Sequence, residues 1–292
     1  MVPGAEPDTP WVRAAGAPLA QLLAIGETLT HGGCRWRKGE LGIAADAALE
    51  AAAWKVAEGG MQARCAGAAH AFEAWRKGAT QQTAPSPSER SVLVAFIESG
   101  FGLPTAPRSE DHVQGHVAEL VWYLVTLEQA TGSRTLRRIE PPSFHVSSPG
   151  GDGLVVYERD DGGLIFRLWE VKKHTGKARL SRTTNRAYSQ LKTHAPRYLA
   201  QYTAAGSGYP PALGAIYAKL VDLWLEAAEP AGAGVAVATS RTHSPQRCFS
   251  AMSKHLPELS RPGQLEGLVA AIGDFPAFSR RVQEFVWSGL ST

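Results

Sequence analysis

Cysteine is scarce in this chain of 292 residues, and long apolar runs are missing from it. Cys34, Cys65 and Cys248 are odd in number, lie far apart, and show neither Cys-x-x-Cys nor Cys/His ligand spacing. The sequence therefore indicates neither a disulfide framework nor a structural zinc site. No apolar run approaches the roughly 18 residues that a membrane-spanning helix needs. Because the first residues also lack the basic start of a signal peptide, we expect a cytoplasmic protein that does not engage membranes.

The sequence also lacks internal repeats and a nucleotide-binding loop of the Gly-x-x-x-x-Gly-Lys-Ser/Thr type. Any ATP-driven step would then have to come from another chain. The hydrophobic content of 44% is sufficient for a sizeable core, so the chain should fold as a globular protein.

The net charge of +3 says little about partners, but its distribution is uneven. Residues 170–197 contain eight lysines and arginines and only one acid, Glu170. Such a segment is suited to a phosphate backbone, although an ordinary solvated helix face can have the same composition. The residues that we expect to contact nucleic acid are Lys173, Lys177, Arg179, Arg182 and Arg186.

Alanine-rich sequence with helical periodicity dominates the first part of the chain, most clearly over 41–57 and 61–77. Alanine and leucine favour helices, so residues 1–84 are predicted to form a separate helical domain. The polar stretch 79–88, which is interrupted by prolines, resembles a linker. A second domain is predicted to span residues 85–292.

The second domain alternates between helical and strand-like patterns, which predicts an α/β fold with a central sheet flanked by helices. Its predicted helices cover 88–97, 109–130, 181–204 and 213–228, and its predicted strands cover 143–147, 153–159, 164–173 and 232–239. The remainder of the chain after residue 239 is predicted to be helical, with breaks at Pro257, Pro262 and Pro276.

Two carboxylates and an ammonium group stand beside the apolar strands of the second domain. Asp152 follows a glycine pair, and Glu170 and Lys172 flank Val171 near the end of the next strand. Such groups are costly to bury unless they are paired, hydrogen-bonded or bound to metal. Carboxylate and carbonyl oxygens suit Mg²⁺ or Mn²⁺, so Asp152, Glu170 and the Val171 carbonyl are the candidate ligands. Glu170 and Lys172 share one face of the strand, where an ammonium group can assist phosphodiester hydrolysis.

The turn between the two strands decides whether these groups meet. A strict two-residue turn would place Asp152 opposite Val171, and the carboxylates would then lie on different faces. A three-residue loop or a single bulge places Asp152 opposite Glu170 or Lys172. Because the Gly162-Gly163 pair readily supports the left-handed residue that such a loop needs, we predict a three-residue loop or a single bulge.

The set of Asp152 followed by Glu170-x-Lys172 resembles the core of the PD-(D/E)XK, or restriction-endonuclease-like, nuclease superfamily. In that superfamily a helix before the sheet often supplies another acid, and Glu119 matches this position. Some branches add a glutamine on the helix after the lysine strand, and Gln190 is similar. The resemblance covers roughly residues 109–240, and Gly-Asp replaces the usual Pro-Asp at the first motif.

This resemblance implies a restriction-endonuclease-like core with a mixed central sheet and a metal-dependent nuclease that cuts DNA. It implies Mg²⁺ or Mn²⁺ as cofactor. The implied metal ligands are Asp152, Glu170, Glu119 and the Val171 carbonyl, with Lys172 as the catalytic lysine and Gln190 as an auxiliary residue.

The Gly-Asp-Gly sequence at 151–153 and the modest chain length also resemble the nuclease subunits of bacterial antiphage systems, including the Hachiman type. The partners implied are DNA, a helicase or another defence-system subunit, and a second copy of the chain.

Two other functions remain open from the sequence. The chain could be a non-catalytic subunit that binds nucleic acid or acts as a scaffold on a nuclease-like fold, or it could be an enzyme that cuts RNA. His112 and His116 lie on the Glu119 side of the predicted helix. They could reach phosphate or metal, or they could be solvated or capping residues.

Overall fold

The computed structural model describes residues 16–42, 46–129, 134–142, 151–240 and 247–290. The helices are α1 (Leu19–Leu22), α2 (Asp46–Arg64), α3 (Ala69–Gln81), α4 (Pro87–Phe101), α5 (Glu110–Glu128), α6 (Leu180–Ala205), α7 (Pro211–Ala218), α8 (Leu220–Leu225), α9 (Met252–His255) and α10 (Phe275–Ser288). The strands are β1 (Leu29–His31), β2 (Cys34–Leu41), β3 (Gly102–Leu103), β4 (Ala106–Pro107), β5 (Arg134–Ile139), β6 (Gly153–Arg159), β7 (Leu164–His174), β8 (Ala233–Thr239) and β9 (Leu265–Ile272).

Seven strands form one mixed sheet in the order β1-β2-β9-β8-β7-β6-β5. The four inner strands β2, β9, β8 and β7 are parallel, and antiparallel hairpins extend the sheet at both ends. Every residue of β8 and β9 is buried, as is typical of parallel strands that are covered on both faces. The prediction of an α/β fold with a helix-flanked central sheet is therefore confirmed.

Two apolar cores lie on opposite faces of the sheet. On one face, α5, α2 and α10 pack around Trp122, Trp54 and Phe278. On the other face, α6 packs through Tyr188 and Leu191 against β7 and its neighbours. The sheet is thus the middle layer between two helical layers. In the described ranges, no helix is long and apolar enough to cross a membrane.

The β6–β7 hairpin has the predicted three-residue loop. Arg159 donates its backbone N–H to the Gly163 carbonyl at 3.0 Å, and Gly162 has a φ of +80°. The strands pair with Gly153 opposite Trp169, which is the register that aligns the position before β6 with Glu170. The predicted strands at 153–159 and 164–173 are confirmed, and β7 extends to His174.

The prediction of a separate helical domain over residues 1–84 is wrong. β2 pairs in parallel with β9, so this segment supplies two strands of the common sheet. The indole of Trp75 donates a hydrogen bond to the Val286 carbonyl at 2.9 Å, and Trp54 packs edge-on against Phe285. A boundary near residue 84 would cut through one core. The predicted linker is a short connection between α3 and α4, which begins with a capping box at Ser86.

Four strands of the large sheet, β1, β2, β5 and β9, were not predicted from the sequence. The helical pattern around them hid β1 and β2, although Gly32 and Gly33, both with positive φ, form the hairpin turn between these strands. β9 was predicted to be helical because a short, continuous apolar run has no decisive periodicity. Pairing with both β2 and β8 makes it a strand. The strand predicted at 143–147 lies outside the described residues, and β5 pairs with β6 instead.

Gly234 allows a close approach between β8 and the Trp169 ring. A Cβ atom built on Gly234 would lie 2.2 Å from that ring. We expect Gly234→Ala to lower the free energy of unfolding by about 2 kcal/mol through overpacking. Chemical denaturation measures this change. Gly115→Ala is the matched control, since nothing lies within 4 Å of its added Cβ; it should be neutral or stabilising, and equal losses in both variants would contradict the packing argument.

Candidate active site

The β6–β7 hairpin brings Asp152, Glu170 and Lys172 together. Asp152 immediately precedes β6 and receives a hydrogen bond on Oδ2 from the backbone N–H of Val171, at 2.5 Å. Glu170 and Lys172 extend from β7 on the face that α6 covers, because alternate residues of a strand share a face. The ammonium group of Lys172 donates directly to Oε1 of Glu170. The three-residue loop therefore brings these three residues together, as the sequence analysis predicted.

Glu170 is only 2% exposed, and its second carboxylate oxygen is incompletely satisfied. Oε2 is buried without a hydrogen-bond partner among the described residues. A buried carboxylate oxygen without a donor carries a large desolvation cost. The site therefore has an unused oxygen ligand beside Lys172.

Glu119 reaches the same region from α5. It lies one turn before Trp122, whose ring packs on Gly153 so closely that a Cβ there would be 1.9 Å from it. This contact holds α5 against the start of β6, next to Asp152. Asp152 is near enough for its charge to disfavour ionisation of Glu119 and so raise the pKa of that carboxyl.

The three carboxyl groups hold protons more tightly than ordinary acids. Burial, followed by the charge of Glu170, raises the pKa of Asp152 to about 8. Burial and then the charge of Asp152 raise the pKa of Glu119 well above its usual range. Burial also raises the pKa of Glu170, and the Lys172 ammonium opposes this effect. The positive charge nearby is therefore too small to stabilise all three carboxyl groups in their ionised forms.

A buried arginine and histidine stand behind Glu119. His116 is fully buried, and its Nδ1 lies 3.7 Å from Oε2 of Glu119. Its Nε2 is 3.0 Å from Nη2 of Arg64, and Nη1 of the same guanidinium donates to Ser99 Oγ at 2.9 Å. Because a guanidinium group can only donate, it fixes His116 with its proton on Nδ1, on the side of Glu119. His116 is therefore neither a solvated nor a capping residue.

Arg64 should influence Glu119 measurably. Its positive charge opposes the rise in the pKa of the Glu119 carboxyl. We expect Arg64→Met to raise that pKa further, by roughly one unit, because a nearby compensating charge is lost. Carboxyl ¹³C NMR titration of the protein without added metal measures the change. Arg76→Met, which removes an arginine paired with Glu58 on the surface, should leave the Glu119 titration unchanged; a similar effect of both variants would disprove the role of Arg64.

Gln190 lies on α6, which packs on the face of the sheet from which Glu170 extends. Arg186 and His194, one turn before and one turn after Gln190, both lower the pKa of Glu170 and therefore face it. Gln190 lies between them on the same face of the helix, because residues four apart are neighbours there. Its side-chain Oε1 is buried without a hydrogen-bond partner in the described ranges. The structure thus places Gln190 at the border of the site. His194 was not identified in the sequence, although its spacing from Gln190 was a usable signal.

The predicted basic surface is only partly continuous. Lys177, Arg179, Arg182 and Arg186 are exposed on the loop after β7 and the first turns of α6. Lys173 lies apart from them, because its side chain points to the opposite face of the sheet. There its ammonium donates to Asp111 at 2.5 Å and to Gln114 at 3.2 Å, both on α5. Lys173 therefore does not contribute to the exposed basic surface that the other four residues form.

The donors of this site suit a hard divalent cation. Within the described part of the chain, no three His, Cys, Asp or Glu side chains converge as a ready-made metal site. Asp152 and Glu170 with the Val171 carbonyl form a smaller set, and Mg²⁺ commonly uses one or two carboxylates while keeping several waters. The partnerless Oε2 of Glu170 and the raised pKa values fit such a cation. Glu119 stands close by but does not complete a three-carboxylate ligand group.

Sequence reasoning missed Arg64 altogether. It comes from α2, 55 positions before Glu119, and only the packing of α2 against α5 brings its side chain to His116. No spacing in a single sequence reports such a contact.

No protein-family model matches the chain, and no curated protein or solved structure is significantly similar to it.

Proposed function

We propose that the protein is a metal-dependent nuclease that hydrolyses phosphodiester bonds in DNA. One observation carries the proposal. The hairpin joins a carboxylate at the start of β6 to a buried Glu170–Lys172 ion pair, and Glu170 retains a buried oxygen without a partner. A binding module has no use for carboxylates that repel phosphate unless a cation neutralises them.

The residues divide the chemistry between them. Asp152 and Glu170 would hold the cation with the Val171 carbonyl, and the bound cation would supply Lewis-acid stabilisation of the phosphoryl oxygens and an activated water. Lys172 orients the attacking water through its ammonium group and stabilises negative charge that develops on the phosphate. Its ion pair with Glu170 fixes its position before substrate binds. Gln190 adds an amide dipole at the border of the site.

Substrate would approach along the exposed face of the first turns of α6. Arg182 and Arg186 are one turn apart there, and Arg186 is close enough to lower the pKa of Glu170. A phosphate backbone bound to these arginines would therefore pass the carboxylates.

The test is cleavage by the purified protein in Mg²⁺ or Mn²⁺, beside a chelator control. The substrates are supercoiled plasmid, linear duplex DNA, single-stranded DNA and RNA. We expect metal-dependent DNA cleavage that Asp152→Asn abolishes. Asp160→Asn is the matched control, because Asp160 is an exposed acid at the other end of the same hairpin.

The same assay separates the other functions. Cleavage of RNA alone would identify an RNA-directed nuclease. Binding of nucleic acid without cleavage, together with no binding of Mg²⁺ or Mn²⁺ by calorimetry, would overturn the proposal in favour of a non-catalytic binding or scaffold subunit.

A further inference from the structure

A cavity lies on the face of the sheet that α5 covers. It opens to solvent. The residues on which the following argument depends are Arg35, Arg37, Arg134, Tyr157, Trp169 and Glu266. Glu170 and Lys172 extend from the opposite face, so this cavity is distinct from the site described above. Neither the basic segment nor the Asp/Glu-x-Lys residues contribute their side chains to it.

A network of two arginines already satisfies the one acidic side chain of the cavity. Among the described residues that line it, Glu266 is the single acid. Arg134 forms a bidentate ion pair with Glu266, in which Nη2 lies 2.8 Å from Oε2. Arg167 donates a further hydrogen bond to Oε1 at 3.1 Å. These charges keep the pKa of Glu266 below its ordinary value despite its burial. The carboxylate has little capacity left for further cations.

Arg35 and Arg37 add positive charge beyond what the single carboxylate of Glu266 can balance. They lie on β2, beside β9 with its Glu266, and neither forms an ion pair or side-chain hydrogen bond within the described part of the chain. Burial lowers the pKa of the half-buried Arg37; the charge of Glu266 opposes this shift, and the charges of Arg134 and Arg35 add to it. A partly desolvated guanidinium that forms no direct ion pair is costly. Four arginines thus share one carboxylate.

An unpaired hydrogen-bond donor also lies in the wall of the cavity. Trp169 is only 4% exposed, and its indole Nε1 has no partner among the described residues. The ring lies flat over β8 because Gly234 has no side chain. An indole N–H can only donate, so a ligand that satisfies it must present an acceptor.

We propose that this cavity binds a phosphomonoester, carried either by a small nucleotide or by the 5′ end of a nucleic acid strand. The dianion matches the surplus positive charge, and its oxygens suit planar guanidinium forks and the indole N–H together. The rings of Tyr157 and Trp169 are both almost fully buried and offer little stacking surface. The phosphate, rather than a base, is therefore the recognised group.

Calorimetric titration in a chelating buffer at constant ionic strength tests the site without any nuclease activity. The probes are inorganic phosphate, adenosine 5′-monophosphate, and a short oligothymidylate with either a 5′-phosphate or a 5′-hydroxyl. We expect the wild-type protein to prefer the phosphorylated oligonucleotide or the nucleotide over the 5′-hydroxyl oligonucleotide. Arg37→Gln should weaken phosphomonoester binding by about tenfold or more, because a charge-assisted contact is lost.

Arg137→Gln is the matched control, because Arg137 lies on β5 but forms an exposed ion pair with Glu158. It should bind like wild type. If thermal denaturation shows that Arg37→Gln does not fold, Arg35→Gln at the exposed rim replaces it. Binding of the nucleotide identifies a small-molecule ligand, whereas binding of the phosphorylated oligonucleotide alone identifies a strand end. The proposal is overturned if no phosphomonoester binds, or if the arginine variants and the control bind equally.

Discussion

Lys172→Met is expected to reduce metal-dependent DNA cleavage by about two to three orders of magnitude, the loss seen when a preorganised transition-state donor is removed. Methionine keeps much of the apolar stem but lacks the ammonium group. The buried Glu170 would then lose its ion-pair partner as well. Single-turnover cleavage at saturating enzyme measures the chemical step, and the DNA dissociation constant should change much less, because the basic face of α6 remains.

Two comparisons make this test specific. Lys77→Met removes an exposed lysine on α3 and should cleave at the wild-type rate. Lys172→Arg keeps the charge but not the compact geometry of the ammonium group, so it should recover only part of the activity. Wild-type cleavage by Lys172→Met would remove the lysine from the proposed mechanism while leaving the metal-binding carboxylates to be tested separately.

The second large effect is a stability that depends jointly on pH and Mg²⁺. The pKa of Asp152 rises from an ordinary value of 3.8 to about 8 in the folded protein. The folded state therefore binds this proton more tightly than the unfolded state does. Without metal, the free energy of unfolding should fall as the pH rises between these two values, and the loss should be complete above about pH 8.

A divalent cation would reverse that loss, because it favours the ionised carboxylates. Mg²⁺ should change Tm little near about pH 5 and raise it clearly near about pH 9. A recovery of about 2 kcal/mol corresponds to a rise in Tm of roughly 3 °C for a chain of this size. Thermal denaturation with Mg²⁺ or with chelator at both pH values measures the difference.

Asp152→Asn is the informative variant for this linkage. The amide cannot ionise, so the metal-free variant should lose less stability toward high pH than wild type, and Mg²⁺ should stabilise it less. Asp160→Asn, at the exposed end of the hairpin, should behave like wild type. An equal response to Mg²⁺ at both pH values would show that the carboxylate cluster does not bind the cation.

Much of the site could be predicted because its parts are close in sequence. The register of the β6–β7 hairpin follows from its loop, and Gly162 supplies the left-handed residue that the loop needs. Strand alternation then puts Glu170 and Lys172 on one face. Helix α6 was predicted over 181–204 and observed over Leu180–Ala205 because its periodicity is long and uninterrupted.

The predictions that failed concern features that depend on contacts between segments far apart in the chain. β2 is a strand because β9 pairs with it more than 200 residues later in the chain, and β9 is a strand for the reciprocal reason. Neither segment has local periodicity strong enough to decide its state. The same holds for Arg64, whose place behind Glu119 is set by the packing of α2 on α5.

The sequence by itself determined the α/β class, the hairpin register and the adjacency of Asp152, Glu170 and Lys172, because turn geometry and strand alternation act over a few residues. Only the tertiary structure decided that residues 29–41 belong to the common sheet, that His116 is buried between Arg64 and Glu119, and that four arginines surround Glu266. Those arrangements depend on which surfaces pack together, and burial, which sets the charge state of the carboxylates, exists only once the layers have assembled.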